Sequence, residues 1–291
     1  MSPRLAAATA TIFWGLSFIA TKAALRELTP VTLIFTRFAM GVLLLAAIVA
    51  ARGLPLVPPR RAWGILLGMG FVGVFVHQML QAHGLTMTSA VNTGWLIGLI
   101  PIWSAILAAL LLHERFGPAK IAGLATGFVG AALVVTQGRL SALNLLPAAR
   151  GDLLVVASTL NWAIYTVMGR PVLERLDPLV ATTGAMFLGW IMLVPFFLAD
   201  AGWKSYAALS ASGWAAVLFL GIACSGLAYL LWYSALARLE TSRVAAFLYL
   251  EPLVTVIGAA VLLNEPVRPT TIAGGLLLLG GVMLVQRAKE Q

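Results

Sequence analysis

Ten apolar segments, each about as long as a membrane-spanning helix, divide this chain of 291 residues. About 20 residues at a rise of 1.5 Å cross a hydrocarbon layer about 30 Å thick, where only helices or closed barrels satisfy their backbone groups. Since 61% of the residues are hydrophobic and 10% are charged, we predict an all-α integral membrane protein of ten transmembrane helices without a soluble domain. The segments cover roughly residues 5–25, 31–51, 62–84, 88–112, 117–136, 152–172, 178–198, 211–235, 242–263 and 268–286.

The basic residues predict an orientation in the bilayer and argue against a nucleic-acid partner. They give a formal net charge of +9, but they are scattered singly and in pairs at the ends of the segments. With a cytoplasmic N-terminus, twelve Lys and Arg residues lie on the cytoplasmic side and six on the other. Because cytoplasmic loops carry the excess of positive charge, we predict a multi-pass protein of the inner (plasma) membrane with both termini in the cytoplasm.

The second half of the chain aligns with the first half, which predicts an internal repeat. Near the start of each half, Trp14 aligns with Trp162 and Lys22 with Arg170. We predict two repeats of five helices, residues 1–140 and 141–291, and since five is odd the second repeat is inverted. Inverted repeats around a site near the midplane are typical of transporters. A shift of 151 residues places Pro101 on Pro252, Glu114 on Glu265, Pro118 on Pro269, Gly123 on Gly274 and Gly130 on Gly281.

The ninth segment contains a carboxylate and a proline, in the sequence Phe-Leu-Tyr-Leu-Glu-Pro-Leu over residues 247–253. A charge in the middle of a membrane helix costs roughly 2.5–3.5 kcal/mol, so Glu251 needs a partner or water. Pro252 removes a backbone donor at the same depth, and Pro101 does so in the fourth segment. We therefore predict that this stretch lines a translocation pathway and that the two prolines are hinges.

Polar and aromatic side chains at mid-membrane depth concentrate in segments 1, 3, 4, 6, 8 and 9. Segments 5 and 10 are instead rich in glycine at spacings that allow helices to pack closely, and we predict that they form a scaffold. The other six segments then surround a central cavity suited to a small amphipathic solute. The predicted solute-binding residues are Trp14, Ser17, His77, Gln78, Gln81, Trp95, Trp162, Tyr165, Tyr229, Tyr233, Tyr249 and Glu251.

Other charged residues at the segment ends receive structural interpretations. We expect Arg37 to reach the interface or to bond backbone carbonyls from near the non-cytoplasmic end of segment 2. Glu114 and Glu265 each precede a proline by four residues, so we expect their carboxylates to complement the N-terminus of the helix that follows.

Several of these residues together resemble a known family. The residues are Trp14-Gly15 with Lys22, Arg37-Phe38, Pro101 followed by Glu114, and Glu251-Pro252 followed by Glu265 and Gly274. The chain resembles the EamA-type exporters of the drug/metabolite transporter superfamily, most of all the YddG-type bacterial exporters of aromatic amino acids. The resemblance implies ten spans, cytoplasmic termini, a central cavity open to one side at a time, and export of amino acids. Ile100 precedes Pro101, so the first half lacks the Glu-Pro pair of the second.

Two other functions, a membrane enzyme and a phosphate antiporter, each require sequence features that can be checked. A membrane-embedded enzyme such as a transferase needs a catalytic motif, and the sequence contains no zinc-protease, nucleophile-elbow or phosphate-loop signature. The three histidines have no metal-site spacing, so we predict no enzyme, metal or cofactor. A sugar-phosphate or nucleotide-sugar antiporter needs a basic pocket, whereas Lys22 and Arg170 are predicted near opposite faces. The expected partners are the solute and the bilayer; proton coupling and oligomeric state stay open, and a monomer is compatible with the sequence.

Overall fold

The computed structural model describes residues 1–112, 117–138, 146–173, 175–236, 238–239, 244 and 246–287, and these form helices and no strand. In the first half, the α-helices are α1 (Pro3–Ala24), α2 (Pro30–Ala51), α3 (Trp63–Met69), α4 (His77–Met87), α5 (Ala90–Ile97), α6 (Ile100–Leu112) and α7 (Pro118–Thr136). In the second half, they are α8 (Leu146–Leu173), α9 (Pro178–Asp200), α10 (Ala211–Leu218), α11 (Ala228–Leu236), α12 (Leu250–Leu262) and α13 (Pro269–Arg287).

The helical segments have the length and composition of membrane spans. Within the described residues, eight segments are long and apolar enough to cross a bilayer. Two shorter apolar helices, Phe247–Leu262 and Pro269–Val285, follow them at the C-terminal end. The predicted all-helical architecture is thereby confirmed, with eight candidate spans and two shorter apolar helices where ten spans were predicted.

The starts of the helices follow from local sequence. Ser2, Thr29 and Ser210 each accept a hydrogen bond from a backbone N–H in the first turn of the helix that they precede. Proline occupies the first position of α1, α2, α7 and α9, where its missing N–H removes no helical hydrogen bond. These signals are readable in the sequence and explain why the predicted boundaries lie close to the observed ones.

Two spans change helix type at corresponding places. A π-helical stretch, Gly70–Val76, joins α3 to α4, and another, Phe219–Leu227, joins α10 to α11. The shift of 151 residues found in the sequence carries the first of these stretches into the second. Because π-helical turns are rare and often occur at functional sites, their presence on these two spans directs attention to the residues that follow them.

Two further spans are interrupted immediately before a proline. Helix α5 ends at Ile97 and α6 begins at Ile100, so Pro101 lies in the first turn of α6. A 3₁₀ turn, Ala246–Tyr249, precedes α12, so Pro252 also lies in a first turn. Glu251 is therefore at a helix N-terminus, where a carboxylate is favoured, rather than in the middle of a continuous helix.

Helices α7 and α13, whose glycine spacing predicts close packing, pack against each other. A Cβ atom added at Gly130 would lie 2.5 Å from the Gly274 carbonyl oxygen, and one added at Gly281 would lie 2.4 Å from the Gly127 nitrogen. Gly123 meets the Gly281 carbonyl oxygen in the same way, at 2.8 Å. These distances leave no room for any side chain, so the two backbones are in direct contact.

Glu27 connects the loop after α1 to the start of α10, and this contact predicts a pH-dependent contribution to stability. Its carboxylate accepts hydrogen bonds from the Ser210 nitrogen and hydroxyl at 2.7 and 2.6 Å, and these bonds lower the pKa of Glu27. A depressed carboxyl pKa stabilises the fold above the pKa of the unfolded chain, and the gain is lost as pH falls through the folded pKa. We expect Glu27→Gln to melt at a lower temperature than wild type at pH 7.

The difference between the two melting temperatures is expected to shrink as the pH falls below about 4, where the wild-type carboxylate also becomes protonated. Thermal melting of the purified protein at both pH values measures it. Arg26→Gln, which changes the exposed neighbouring residue, serves as the control. An unchanged difference at low pH would contradict the assigned role of the carboxylate.

Candidate functional site

Three aromatic rings from α1 and α11 form the first of two clusters inside the protein. The Trp14 ring centroid lies 5.5 Å from that of Tyr229 and 5.3 Å from that of Trp232. The Trp14 indole nitrogen donates a hydrogen bond to the Cys224 carbonyl oxygen at 3.2 Å, which fixes the ring's orientation. The three rings remain partly exposed.

The second cluster combines His77 of α4 with Trp162 and Tyr165 of α8. Its ring centroids are 4.9 Å apart between His77 and Trp162, and 5.1 Å apart between Trp162 and Tyr165. His77 Nδ1 lies 3.0 Å from the Ser158 carbonyl oxygen. Since a carbonyl only accepts, Nδ1 carries the hydrogen and Nε2 of the neutral ring is left as an acceptor. A Cβ atom at Gly73 would lie 2.3 Å from the Tyr165 ring, so the π-helical stretch makes room for Tyr165.

The polar side chains of three predicted residues have no hydrogen-bond partner among the described residues. Gln78 and Gln81 are each 8% exposed, and Glu251 is partly buried. Within the described part of the chain, neither amide group nor the Glu251 carboxylate forms a side-chain hydrogen bond. Burying such groups without a partner is costly, which makes these three residues the candidates for contact with a solute.

The remaining predicted residues are placed apart from these groups or bonded locally. Trp95 is 4% exposed and packs on α13, where a Cβ atom at Gly275 would lie 2.1 Å from its ring. Ser17 donates its hydroxyl hydrogen to the Trp14 carbonyl oxygen of its own helix at 2.7 Å. The Tyr249 hydroxyl is buried without a hydrogen-bond partner. The side chain of Tyr233 lies outside the described residues.

Two structural interpretations from the sequence require correction. Arg37 does not reach the interface: it is 7% exposed, and its Nε donates to the Ser225 hydroxyl oxygen at 3.2 Å. Glu265 does not complement the helix after it, because its two carboxylate oxygens accept hydrogen bonds from the Ala90 and Val91 nitrogens at 3.1 and 3.0 Å. Ala90 and Val91 are the first residues of α5. Because they are about 175 positions from Glu265 in the chain, the residues next to Glu265 do not indicate this contact. Glu114 lies outside the described residues.

A polar cluster, defined by Lys22, Thr88, Asn92, Asp152 and Glu265, joins the helices at the end where α1 finishes. The Lys22 ammonium donates to the Leu85 carbonyl oxygen at 2.8 Å and to that of Thr88. The Asp152 carboxylate accepts from the Thr88 hydroxyl group and, at 3.1 Å, from the Asn92 amide nitrogen. The polar cluster therefore connects α1, the α4–α5 turn and α8, and Glu265 adds the segment after α12.

A recess of about 250 Å³ lies at the opposite end of the spans, between the start of α3 and the end of α8. It contains none of the predicted solute-binding residues. The described residues contain no group of three or more His, Cys, Asp or Glu side chains placed to hold a metal ion. The recess is lined by Pro59, Arg61, Ala62, Ile65, Pro171, Val172, Arg175 and Leu176.

Comparison with known proteins identifies the family. The sequence model of the EamA-like transporter family matches residues 1–136 and 149–287. This chain belongs to the EamA-like transporter family. An uncharacterized transporter of Archaeoglobus fulgidus is 35% identical over 96% of this chain and 96% of its own length. A probable terminal-alkyne amino-acid exporter of Streptantibioticus cattleyicolor is 30% identical over 95% of this chain and 90% of its own length.

A solved crystal structure has the same fold, with a TM-score of 0.67 and 21% identity, covering 100% of this chain and 99% of the other. The EamA family and these relatives are named as transporters, so the chain is a membrane transporter and not an enzyme. Its membership accounts for the apolar spans and for polar groups buried among them.

Proposed function

We propose that this EamA protein exports amino acids, aromatic ones above all, and related small amphipathic solutes through a central cavity lined by aromatic rings. The observation that carries the proposal is the set of buried polar groups, on Gln78, Gln81 and Glu251, that have no partner in the described protein. A relative named as a probable amino-acid exporter supports the solute class. The two aromatic clusters supply surface for the apolar part of such a solute.

The roles of the side chains follow from their chemistry. Rings of Trp14, Trp162, Tyr165 and Tyr229 surround the apolar part of the solute, and a cationic amine gains further attraction over a ring face. The Gln78 and Gln81 amides, His77 Nε2 and the Tyr249 hydroxyl group take its hydrogen-bonding groups, and Glu251 takes its ammonium. Trp95 acts indirectly, since its packing on α13 holds α5 in place.

We further propose that residues 1–140 and 141–291 are inverted repeats that exchange conformations. Contacts that recur under the sequence shift support this, because Gly123 meets Gly281 while its equivalent Gly274 meets Gly130. The paired π-helical stretches and the two ranges matched by the family model support it as well. Pro101 and Pro252 then act as hinges at the interruptions of two spans, and rocking of the repeats alternates access.

With both termini in the cytoplasm of the cell, the polar cluster lies at the outer face and seals the cavity there. Asp152→Ala removes two acceptor interactions, and hydrogen bonds to a charged group contribute about 1.5–3 kcal/mol each. We expect the outer end to open, so that a cysteine introduced at Ser89 reacts roughly tenfold faster or more with a membrane-impermeant thiol reagent added outside. Cys224, which is buried, is first replaced by alanine.

The control for this experiment is Asp177→Ala, which removes the side chain that caps α9 at the opposite end. It is expected to lower stability without changing the reactivity at residue 89. Equal reactivity of the Asp152→Ala variant and its parent would contradict the outer seal.

Solute counterflow in proteoliposomes tests the proposed function. Vesicles containing the purified protein and one unlabelled amino acid are expected to accumulate the same labelled amino acid, with phenylalanine, tyrosine and tryptophan fastest. Protein-free vesicles set the background, and sugar phosphates are tested in parallel. Absence of stimulated flux for all amino acids would reject the solute assignment. Repeating the assay across a pH gradient shows whether a proton moves with the solute.

A further inference from the structure

Arg37 is a buried cation whose charge the described protein leaves unpaired. It lies in the span of α2, is 7% exposed, and carries five N–H donors on a guanidinium group that stays charged. Ser225 Oγ, 3.2 Å from Nε, is the one hydrogen-bond acceptor that the described residues supply, and no described carboxylate forms an ion pair with it. The ring of adjacent Phe38, 5.2 Å from the guanidinium carbon, adds an attraction that does not neutralise the charge.

Close packing of α2 on the second π-helical stretch fixes this position. A Cβ atom at Gly41, one turn after Arg37, would lie 2.7 Å from Ser225 Cβ and 3.0 Å from its carbonyl oxygen. The glycine thus brings the α2 backbone against Ser225, which places the Ser225 hydroxyl beside Arg37.

The surroundings of Arg37 connect it to both aromatic clusters. Tyr229, one turn after Ser225, is close enough to interact electrostatically with Arg37, and so is His77. Tyr229 contacts Trp14 in the first cluster, and His77 contacts Trp162 in the second. Arg37 therefore lies within electrostatic range of one residue of each cluster.

An isolated buried charge is strongly disfavoured unless an opposite charge and hydrogen-bond acceptors reach it. A planar carboxylate meets both needs, because its two oxygens match the paired N–H groups of a guanidinium. We propose that Arg37 binds the carboxylate of the transported solute and so restricts transport to organic anions and zwitterions. The assignment rests on the proposed function. In that proposal, side chains of α4 and α12 bind the other polar groups of the solute, but no cationic side chain binds the carboxylate of the solute.

Matched ligands test the proposal directly. The best-carried amino acid of the counterflow assay is compared as a competitor with its α-amide, which lacks the carboxylate charge, and with its decarboxylated amine. In wild type, we expect the amide and the amine to compete at least about 30-fold more weakly than the amino acid, the effect of losing one buried charge pair. In Arg37→Gln, the half-saturation concentration is expected to rise by a similar factor and the preference for the charged carboxylate to disappear.

Three further variants separate binding from folding. Arg37→Lys keeps the charge but loses the paired geometry, so it is expected to retain the preference for a carboxylate with weaker binding. Ser225→Ala removes the hydroxyl that orients Arg37 and is expected to weaken binding less than Arg37→Gln. Arg52→Gln, at the exposed end of the same helix, is expected to transport like wild type.

Binding of 3-phenylpropionate, a carboxylate without an amine, provides a readout that needs no transport. Its saturable effect on tryptophan fluorescence is expected in wild type and Arg37→Lys and is expected to be absent in Arg37→Gln. If no amino acid is carried but this difference is seen, the proposed function fails and the anion site stands. If amino acids are carried and Arg37→Gln keeps the wild-type preference over the amide, the anion site is overturned. The anion site is also overturned if wild type does not bind 3-phenylpropionate, or if wild type and Arg37→Gln bind it equally.

Discussion

Glu251→Gln is expected to reduce amino-acid counterflow by at least roughly 30-fold while leaving the melting temperature unchanged or higher. Removing one partner of a buried charge pair, here the proposed pair of Glu251 with the solute ammonium, costs about 2–5 kcal/mol of binding. Within the protein, the Glu251 carboxylate has no partner among the described residues, so the substitution breaks no internal contact. Replacing this partly buried carboxylate by a neutral amide removes a desolvation cost, which offsets the roughly 0.3–1 kcal/mol that a charge at the N-terminus of α12 contributes, so the fold does not weaken. Transport kinetics and thermal melting of the same preparation measure the two effects.

Glu27→Gln provides the opposite phenotype as a control. Its carboxylate lies at the protein surface and bonds Ser210, so that variant is expected to melt lower yet transport at the wild-type rate. Full activity of Glu251→Gln would show that the carboxylate does not bind the solute. A collapse of its stability would instead give Glu251 a structural role.

Gly281→Ala is expected to destabilise the protein by about 3 kcal/mol or more, near or above the upper end of the usual cost of overpacking. The added methyl group would lie 2.4 Å from the Gly127 nitrogen and 2.5 Å from the Gly123 carbonyl oxygen. These are backbone atoms, so α7 and α13 have to separate along their whole contact. Thermal melting of the detergent-purified variant is expected to show a decrease of roughly 6–12 °C.

The adjacent glycine supplies a matched control for this substitution. A Cβ atom at Gly280 would meet nothing within 4 Å, so Gly280→Ala adds the same methyl group without a collision. Because alanine is the better helix former, that variant is expected to gain roughly 0.5–1 kcal/mol. Similar melting temperatures for the two variants would contradict direct backbone contact between α7 and α13.

Local signals explain what could be predicted of the fold. Apolar length placed the spans, and the starts at Pro30 and Pro178 follow from a proline after a capping threonine or aspartate. Glycine spacing predicted that the spans of α7 and α13 pack closely, while their contact with each other came from the structure. Pro101 and Pro252 also indicated where two spans are interrupted.

The candidate site was less accessible, because its chemistry depends on pairs that are distant in the chain. Trp95 is an aromatic residue at mid-membrane depth, which is why it was predicted to line the cavity. It packs instead on Gly275, 180 positions away in the chain. Arg37 was predicted to reach the interface or to bond backbone carbonyls because it lies near the end of its span, while its hydrogen-bond partner is Ser225. That partner is 188 positions away in the chain, and no local pattern points to it.

The sequence by itself determined that this chain enters a membrane, where its apolar spans lie, and which two spans are rich enough in glycine to pack closely, because these depend on hydrophobicity and residue size. Only the tertiary structure decided which polar groups receive a partner. Lys22, Asp152 and Glu265 are satisfied at one end of the spans, whereas Arg37 and Glu251 have no ion-pair partner among the described residues. The physical reason is that the cost of a buried charge depends on what lies within a few ångströms, and those neighbours come from other helices.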